Sequence, residues 1–221
     1  MTVIETNTFW PWAIATLVST GGLLMAEYRG HVAGRVIFKS TAAFGFLGAA
    51  LSQGFAPTGF PMWVTLGLAL SVIGDVCLLV PTTGRAFLVG IGAFLLAHNA
   101  YFLGFWTLGV DELGFISAVV VLAPVAWMLH RWLVPDVPKR LKVPVLSYII
   151  VITMMVAGAV GAWAHTPSAV WLVPTAGLFM ASDIGVAIQR FKTADFRTKL
   201  WAQPAYFVAQ LSFAWHTGVL H

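Results

Sequence analysis

Long stretches of this chain carry no charged residue, and their lengths cluster near what a bilayer requires. A helix of about 20 predominantly apolar residues covers the hydrocarbon core. Thr6–Ala26 is the first such run. Ser40–Gly74 is too long for one helix and is split by Gly54-Phe55-Ala56-Pro57-Thr58-Gly59-Phe60-Pro61; its second half continues from Met62 to about Val80. Ala86–Val110 and Leu113–His130 follow. Val143–Ser182 holds two helices divided at His165-Thr166-Pro167-Ser168, and Leu200–Gly218 closes the series. The pattern predicts an all-α polytopic membrane protein of eight transmembrane helices, using about 160 residues at about 20 each. Seven short connections and two short tails remain, so residues 1–221 read as a single integral membrane helical-bundle domain. Barrel strands would alternate apolar and polar positions. These runs are apolar on every face, which suits helices that satisfy their own backbone. The N-terminus lacks a basic segment and a small-residue cleavage site, so the first span is expected to be retained and not removed as a signal peptide.

Composition agrees. The apolar share is 59% and the charged share 9%, against about 45–50% and about 25% in soluble domains. This excludes a soluble enzyme, a nucleic-acid reader, a disordered tail and a disulfide scaffold. The one cysteine, Cys77, lies in an apolar stretch and has no partner for an internal disulfide. The net charge is +4, and its placement matters more than its size. All 12 basic residues fall in odd-numbered connections: Arg29, Arg35 and Lys39 in the first, Arg85 in the third, Arg131, Lys139, Arg140 and Lys142 in the fifth, and Arg190, Lys192, Arg197 and Lys199 in the seventh. Basic loops face the cytoplasm. Both termini are therefore expected outside, in the inner membrane if the source is bacterial. Trp10, Trp12, Trp63, Trp106, Trp163, Trp171 and Trp215 fall near predicted outer ends, and Trp127, Trp132 and Trp201 near inner ends, as interfacial belts require.

Two acids remain inside spans: Asp75 in the third and Asp183 in the seventh. A carboxylate in the bilayer costs a few kcal/mol even on lenient scales and usually marks function. Both helices are expected to run inward, with Asp75 about 20 Å below Met62 and Asp183 about 21 Å below Ala169 at 1.5 Å per residue. Matched depth predicts one shared site, with the carboxyl groups within about 8 Å if a water is shared between them. The bland alternative is that each acid is only an interhelical hydrogen-bond acceptor. His98, followed by Asn99 and Tyr101, is placed some 8 Å outward of the acids by the same rise. Lys39 sits at the inner edge of the second helix, where snorkelling to the interface is its ordinary role. Tyr206 and Gln210 share one face of the eighth helix, with Tyr206 at the acids' depth and Gln203 a turn further inward. Arg85 and Arg190 read as positive-inside anchors.

Asp75 to His98 and Asp183 to Tyr206 are both 23 residues apart. The shared spacing suggests a parallel repeat of four helices and four, with a site between the halves. Phe38-Lys39-Ser40, Gly74-Asp75-Val76-Cys77-Leu78-Leu79, the run Phe87…Gly90…Ala93-Phe94…Ala97-His98…Tyr101, Ser182-Asp183 with Arg190-Phe191, and Tyr206…Ala209-Gln210 resemble the YhhN-like lysoplasmalogenase family over about residues 36–213. The family usually has Lys-Pro in the second helix; this chain has Lys39-Ser40 and so lacks that kink. The resemblance implies a membrane hydrolase that cleaves the vinyl ether of lysoplasmalogens. The products would be a fatty aldehyde and glycerophosphoethanolamine or glycerophosphocholine. It places the family's two aspartates at Asp75 and Asp183.

The residues suit that chemistry independently. Enol-ether hydrolysis needs one protonated acid and one carboxylate that stabilises an oxocarbenium ion and activates water, with no metal or other cofactor. Two carboxyls sharing a low-dielectric site divide into acid and base, as in glycosidases. Lys39 is at the level of the substrate phosphate; His98, Asn99, Tyr206 and Gln210 are candidates for orienting acids or water, with Tyr101 beside them. The partners expected are the lysophospholipid substrate and membrane lipids, with no nucleic acid; the sequence gives no oligomeric state. Two rivals stand beside this reading. One is a zinc-dependent membrane lipid hydrolase, which needs three His ligands where only His98 lies well inside a span. The other is a proton-coupled carrier built on the two acids.

Overall fold

A computed structural model describes residues 8–79 and 85–220. The expected start of the first span at Thr6, the end of the third at Val80 and the extreme termini lie outside the described residues. Eight long helices make up the described chain: α1 Phe9–Tyr28, α2 Val32–Ser52, α3 Gly59–Leu79, α4 Arg85–Thr107, α5 Glu112–Leu133, α6 Lys142–His165, α7 Leu172–Phe191 and α8 Phe196–His216. Short 3₁₀ turns at Val134–Asp136, Lys139–Leu141 and Pro167–Ala169 fill the connections on either side of α6. No strand occurs among the described residues. Helix starts are set by polar caps. His31 accepts from the Gly34 amide ahead of α2, Asp111 from Gly114 ahead of α5, and Asp195 from Arg197 ahead of α8, each satisfying an otherwise orphaned donor. Gly30 and Gly109, at φ of +67° and +85°, turn the chain after α1 and α4.

Six of the eight helices are long and apolar enough to cross a membrane, which marks the chain as an integral membrane protein. The two that fall short of eight candidate spans are α2 and α8. Their shortfall has a physical origin. α2 begins at Val32, not Ser40, and so takes in Arg35 and Lys39; α8 begins at Phe196 and takes in Arg197 and Lys199. A search for charge-free runs excludes such residues, yet Arg35, Lys39 and Lys199 each meet an acid within the bundle. Glu27, at the end of α1, receives Lys199 at 2.7 Å and Arg35 at 3.6 Å. Likewise α7 runs on past Ser182 to Phe191.

Sequential neighbours pack as hairpins, α1 with α2, α3 with α4, α5 with α6 and α7 with α8. Further contacts join α2 to α3 and α8, α6 to α4 and α7, and α8 to α1 and α3. α5 lies on the outside: only Ala118 and Leu133 of its residues are buried. The core is aromatic. Tyr101 stacks on Phe213 at 4.4 Å between ring centroids, and Phe46, Phe105, Phe179 and Phe207 are fully buried nearby. Gly67 and Gly74, two turns apart on α3, lie against the rings of Tyr101 and Phe94 on α4. Small residues at such contacts let helices approach closely where lipid supplies no hydrophobic drive.

Candidate functional site

The two intramembrane acids are each met by side chains from two other helices. Asp75 on α3 accepts from Tyr206 of α8, 2.6 Å to Oδ2, and pairs with the Lys39 ammonium of α2, 3.1 Å to Oδ1. Both of its oxygens are therefore engaged, and its side chain is 3% exposed. Asp183 on α7 accepts from Tyr148 of α6, 2.7 Å to Oδ2, and lies 3.1 Å from Nε2 of His98 on α4. Its Oδ1 takes no hydrogen bond among the described residues, and its side chain is 14% exposed.

His98 is fully buried. Its Nδ1 lies 2.6 Å from the Phe94 carbonyl. A carbonyl only accepts, so Nδ1 carries a proton and the imidazole is oriented by its own helix. The other nitrogen, Nε2, is within ion-pair distance of Asp183 but off the line of an N–H bond, and has no aligned hydrogen-bond partner. The contact corrects the expectation that His98 lies some 8 Å outward of the acids. Helical side chains lean toward their own N-terminus. Because α4 and α7 run in opposite directions, His98 and Asp183 lean toward each other and close that gap.

One helical turn away lies a second polar layer. Tyr101 donates to Gln210 Oε1 at 2.7 Å, and its hydroxyl is 3.4 Å from Ser71. Gln210 and Tyr101 thus bond to each other, not to an acid. Asn99 bonds only to the Leu95 carbonyl of its own helix and joins neither layer. Lys39, expected at a substrate phosphate, places its ammonium on Asp75. Tyr148 was not anticipated. Its only signal in the sequence is a spacing: it precedes Asp183 by 35 residues, as Lys39 precedes Asp75 by 36.

Both acids line one cavity of about 360 Å³, within the range of small-molecule sites. Its polar side is formed by Lys39, Asp75, Tyr148, Asp183, Gln203 and Tyr206. Gln203 Oε1 is buried with no hydrogen-bond partner among the described residues. Its apolar lining includes Leu129, Leu133, Val145, Ile149 and Ile152 of α5 and α6, together with Phe87, Ile91 and Phe94 of α4 and Met180 and Ile184 of α7. Arg190, which lies over the Phe87 ring at 4.1 Å, and Lys199 also border it. The arrangement offers two carboxyls in unequal surroundings at the head of an apolar pocket. Among the described residues, no three His, Cys, Asp or Glu side chains converge as a metal site.

Comparison with known proteins adds the following. Proteins named lysoplasmalogenase from Mycobacterium bovis (strain ATCC BAA-935 / AF2122/97) and Mycobacterium tuberculosis (strain CDC 1551 / Oshkosh) are each 33% identical to the chain over 171 residues. That match takes in 75% of this chain and 63% of theirs, so it spans somewhat less than two thirds of the relatives' length. No solved structure gives a significant match. The YhhN family matches residues 34–217, most of the chain and every residue of both polar layers, and the chain belongs to that family.

Proposed function

We propose that the protein is a lysoplasmalogenase: it hydrolyses the vinyl ether of a lysoplasmalogen to a fatty aldehyde and a glycerophospho-alcohol, with Asp75 and Asp183 as its acid–base pair. The observation that carries this reading is the convergence of both acids on one cavity whose other side is apolar. The names of the two relatives support it. The single alkenyl chain lies along Leu129, Leu133, Val145 and Ile149, and the headgroup end lies toward Lys199 and Arg190. Gln203 Oε1, buried and unpartnered, accepts from the free hydroxyl that a lysolipid has and a diacyl lipid lacks.

The chemistry proceeds by proton transfer alone. A carboxylic acid protonates the alkene carbon remote from the ether oxygen, and the π electrons form the new C–H bond. The adjacent carbon becomes an oxocarbenium ion, stabilised by the neighbouring carboxylate in a low-dielectric site. Water adds to that carbon and gives its proton to this carboxylate. The resulting hemiacetal collapses: the glycerol oxygen leaves with that proton, and the hemiacetal hydroxyl proton restores the first acid. One water is consumed and both carboxyls return to their starting states.

All eight long helices span the membrane in this reading, as one domain, with the termini outside and the basic connections in the cytoplasm. The chain is also read as a four-plus-four parallel repeat. Support comes from the side chains around the acids: each acid is met by the helix before it in its own half, α2 or α6, and by the last helix of the other half, α8 or α4. The contacts of α4 with α6 and of α8 with α2 are exchanged by the same operation.

The test is substrate discrimination by the purified protein. It should release aldehyde from a lysoplasmalogen and leave untouched both the saturated alkyl-ether analogue, which has no alkene to protonate, and the acyl lysolipid. Cleavage of the acyl ester, or uptake into proteoliposomes with no product formed, would refute it.

A further inference from the structure

The two acids occupy equivalent places in the two halves, but their surroundings differ at one pair of positions: Lys39 faces Asp75 where Tyr148 faces Asp183. From this divergence we infer that the labour is divided: in the resting site Asp183 holds the transferable proton, Asp75 is the carboxylate, and His98 is a positioning residue for the Asp183 carboxyl. The inference deepens the acid–base reading above and rests on it for its catalytic meaning.

Three features point the same way. Asp75 has a lysine ammonium on one oxygen and a tyrosine hydroxyl on the other, donors that suit an anion in the resting site. Asp183 has no cation of the lysine kind. Its Oδ1 is unengaged, and it is the more exposed of the two acids, 14% against 3%. The third feature is the histidine. Its Nε2 lies 3.1 Å from Asp183 Oδ2 but off the line of a hydrogen bond, so it does not satisfy that carboxyl as Lys39 satisfies Asp75. His98 is 1% exposed and packs against Phe179 at 4.5 Å and Tyr148 at 5.2 Å between ring centroids. An imidazole beside a neutral carboxyl puts no charge in that apolar setting, whereas an imidazolium–carboxylate pair puts two. The charged and titratable groups around the cavity are then Lys39 with Asp75, neutral Asp183 with His98, Tyr148 and Tyr206, and Lys199 and Arg190 at the border.

Infrared spectroscopy of the full chain in lipid at neutral pH, with no substrate added, tests the assignment. The carbonyl stretch of a buried neutral carboxyl stands apart from the carboxylate bands and differs in frequency between aspartic and glutamic acid. Wild type should show such a band. Asp183→Glu should shift it, Asp75→Glu should leave it in place, and Asp183→Asn should remove it while helical content and thermal unfolding remain those of wild type. His98→Gln should move the band, because the carboxyl loses the imidazole nitrogen beside Oδ2; a histidine that only packs would not move it. A shift with Asp75→Glu, alone or together with Asp183→Glu, or no band in wild type, would overturn the division of roles. The readout needs no turnover, so it is separable from failure of the lysoplasmalogenase reading itself.

Discussion

Tyr148 and Lys39 face Asp183 and Asp75 with different chemistry, and their substitutions should fail differently. Tyr148→Phe keeps the ring beside His98 and deletes one hydrogen bond to Asp183. A net loss of about 1 kcal/mol corresponds to turnover slower by roughly fivefold, with KM little changed in steady-state kinetics. Lys39→Ala leaves the buried Asp75 carboxylate without its cation, a defect worth about 3–5 kcal/mol when a buried pair is broken. It should reduce kcat or thermal stability, whereas a change confined to KM would show that the lysine serves the phosphate and not the acid. Asp75 and Asp183 were legible in the sequence because a carboxylate in an apolar run has no cheap explanation. Tyr206 was legible through its spacing. Tyr148 was not: a tyrosine in an apolar helix is unremarkable until a partner is seen. The depth of His98 was misjudged because backbone rise counts Cα positions and ignores the opposite lean of side chains on antiparallel helices.

At the level of elements, the site depends on how closely α3 approaches α4. Gly67 lies against the Tyr101 ring, which is itself stacked on Phe213 and bonded to Gln210. The ring cannot retreat from an added methyl without breaking that layer. Gly67→Ala should therefore cost about 1–3 kcal/mol as overpacking, seen as a lower midpoint in thermal unfolding of the purified protein. An unchanged midpoint would mean that α3 and α4 slide apart freely. Six helices announced themselves by apolar length, and the hairpin pairing follows from short connections. α2 and α8 were legible only in part, because the residues that make them useful also lower their hydropathy. Lys39, Lys199, Gln203, Tyr206 and Gln210 all turn toward partners or the cavity inside the bundle, and no local window reveals those partners.

For the whole molecule, the distribution of all 12 basic residues predicts topology. Reporter fusions after His221 and within Lys139–Lys142 should give opposite signals, and identical signals would show that the number of crossings between them is even where it should be odd. The reaction proposed is Brønsted chemistry on an alkene, and every proton it moves is accounted for by two carboxyls and a water. Aldehyde release should therefore be unchanged after EDTA treatment of the purified protein. Loss of activity that returns with a divalent metal would reinstate a metal-dependent lipid hydrolase.

The most direct measurement is aldehyde release from a lysoplasmalogen by wild type, Asp75→Asn and Asp183→Asn, purified side by side. An amide neither gives a proton to carbon nor stabilises an oxocarbenium ion as an anion does. General acid–base groups contribute about 10²–10⁴-fold in rate, so each variant should fall by at least about 100-fold while remaining folded and membrane-inserted. Substantial aldehyde release by either asparagine variant would contradict the two-carboxylate account.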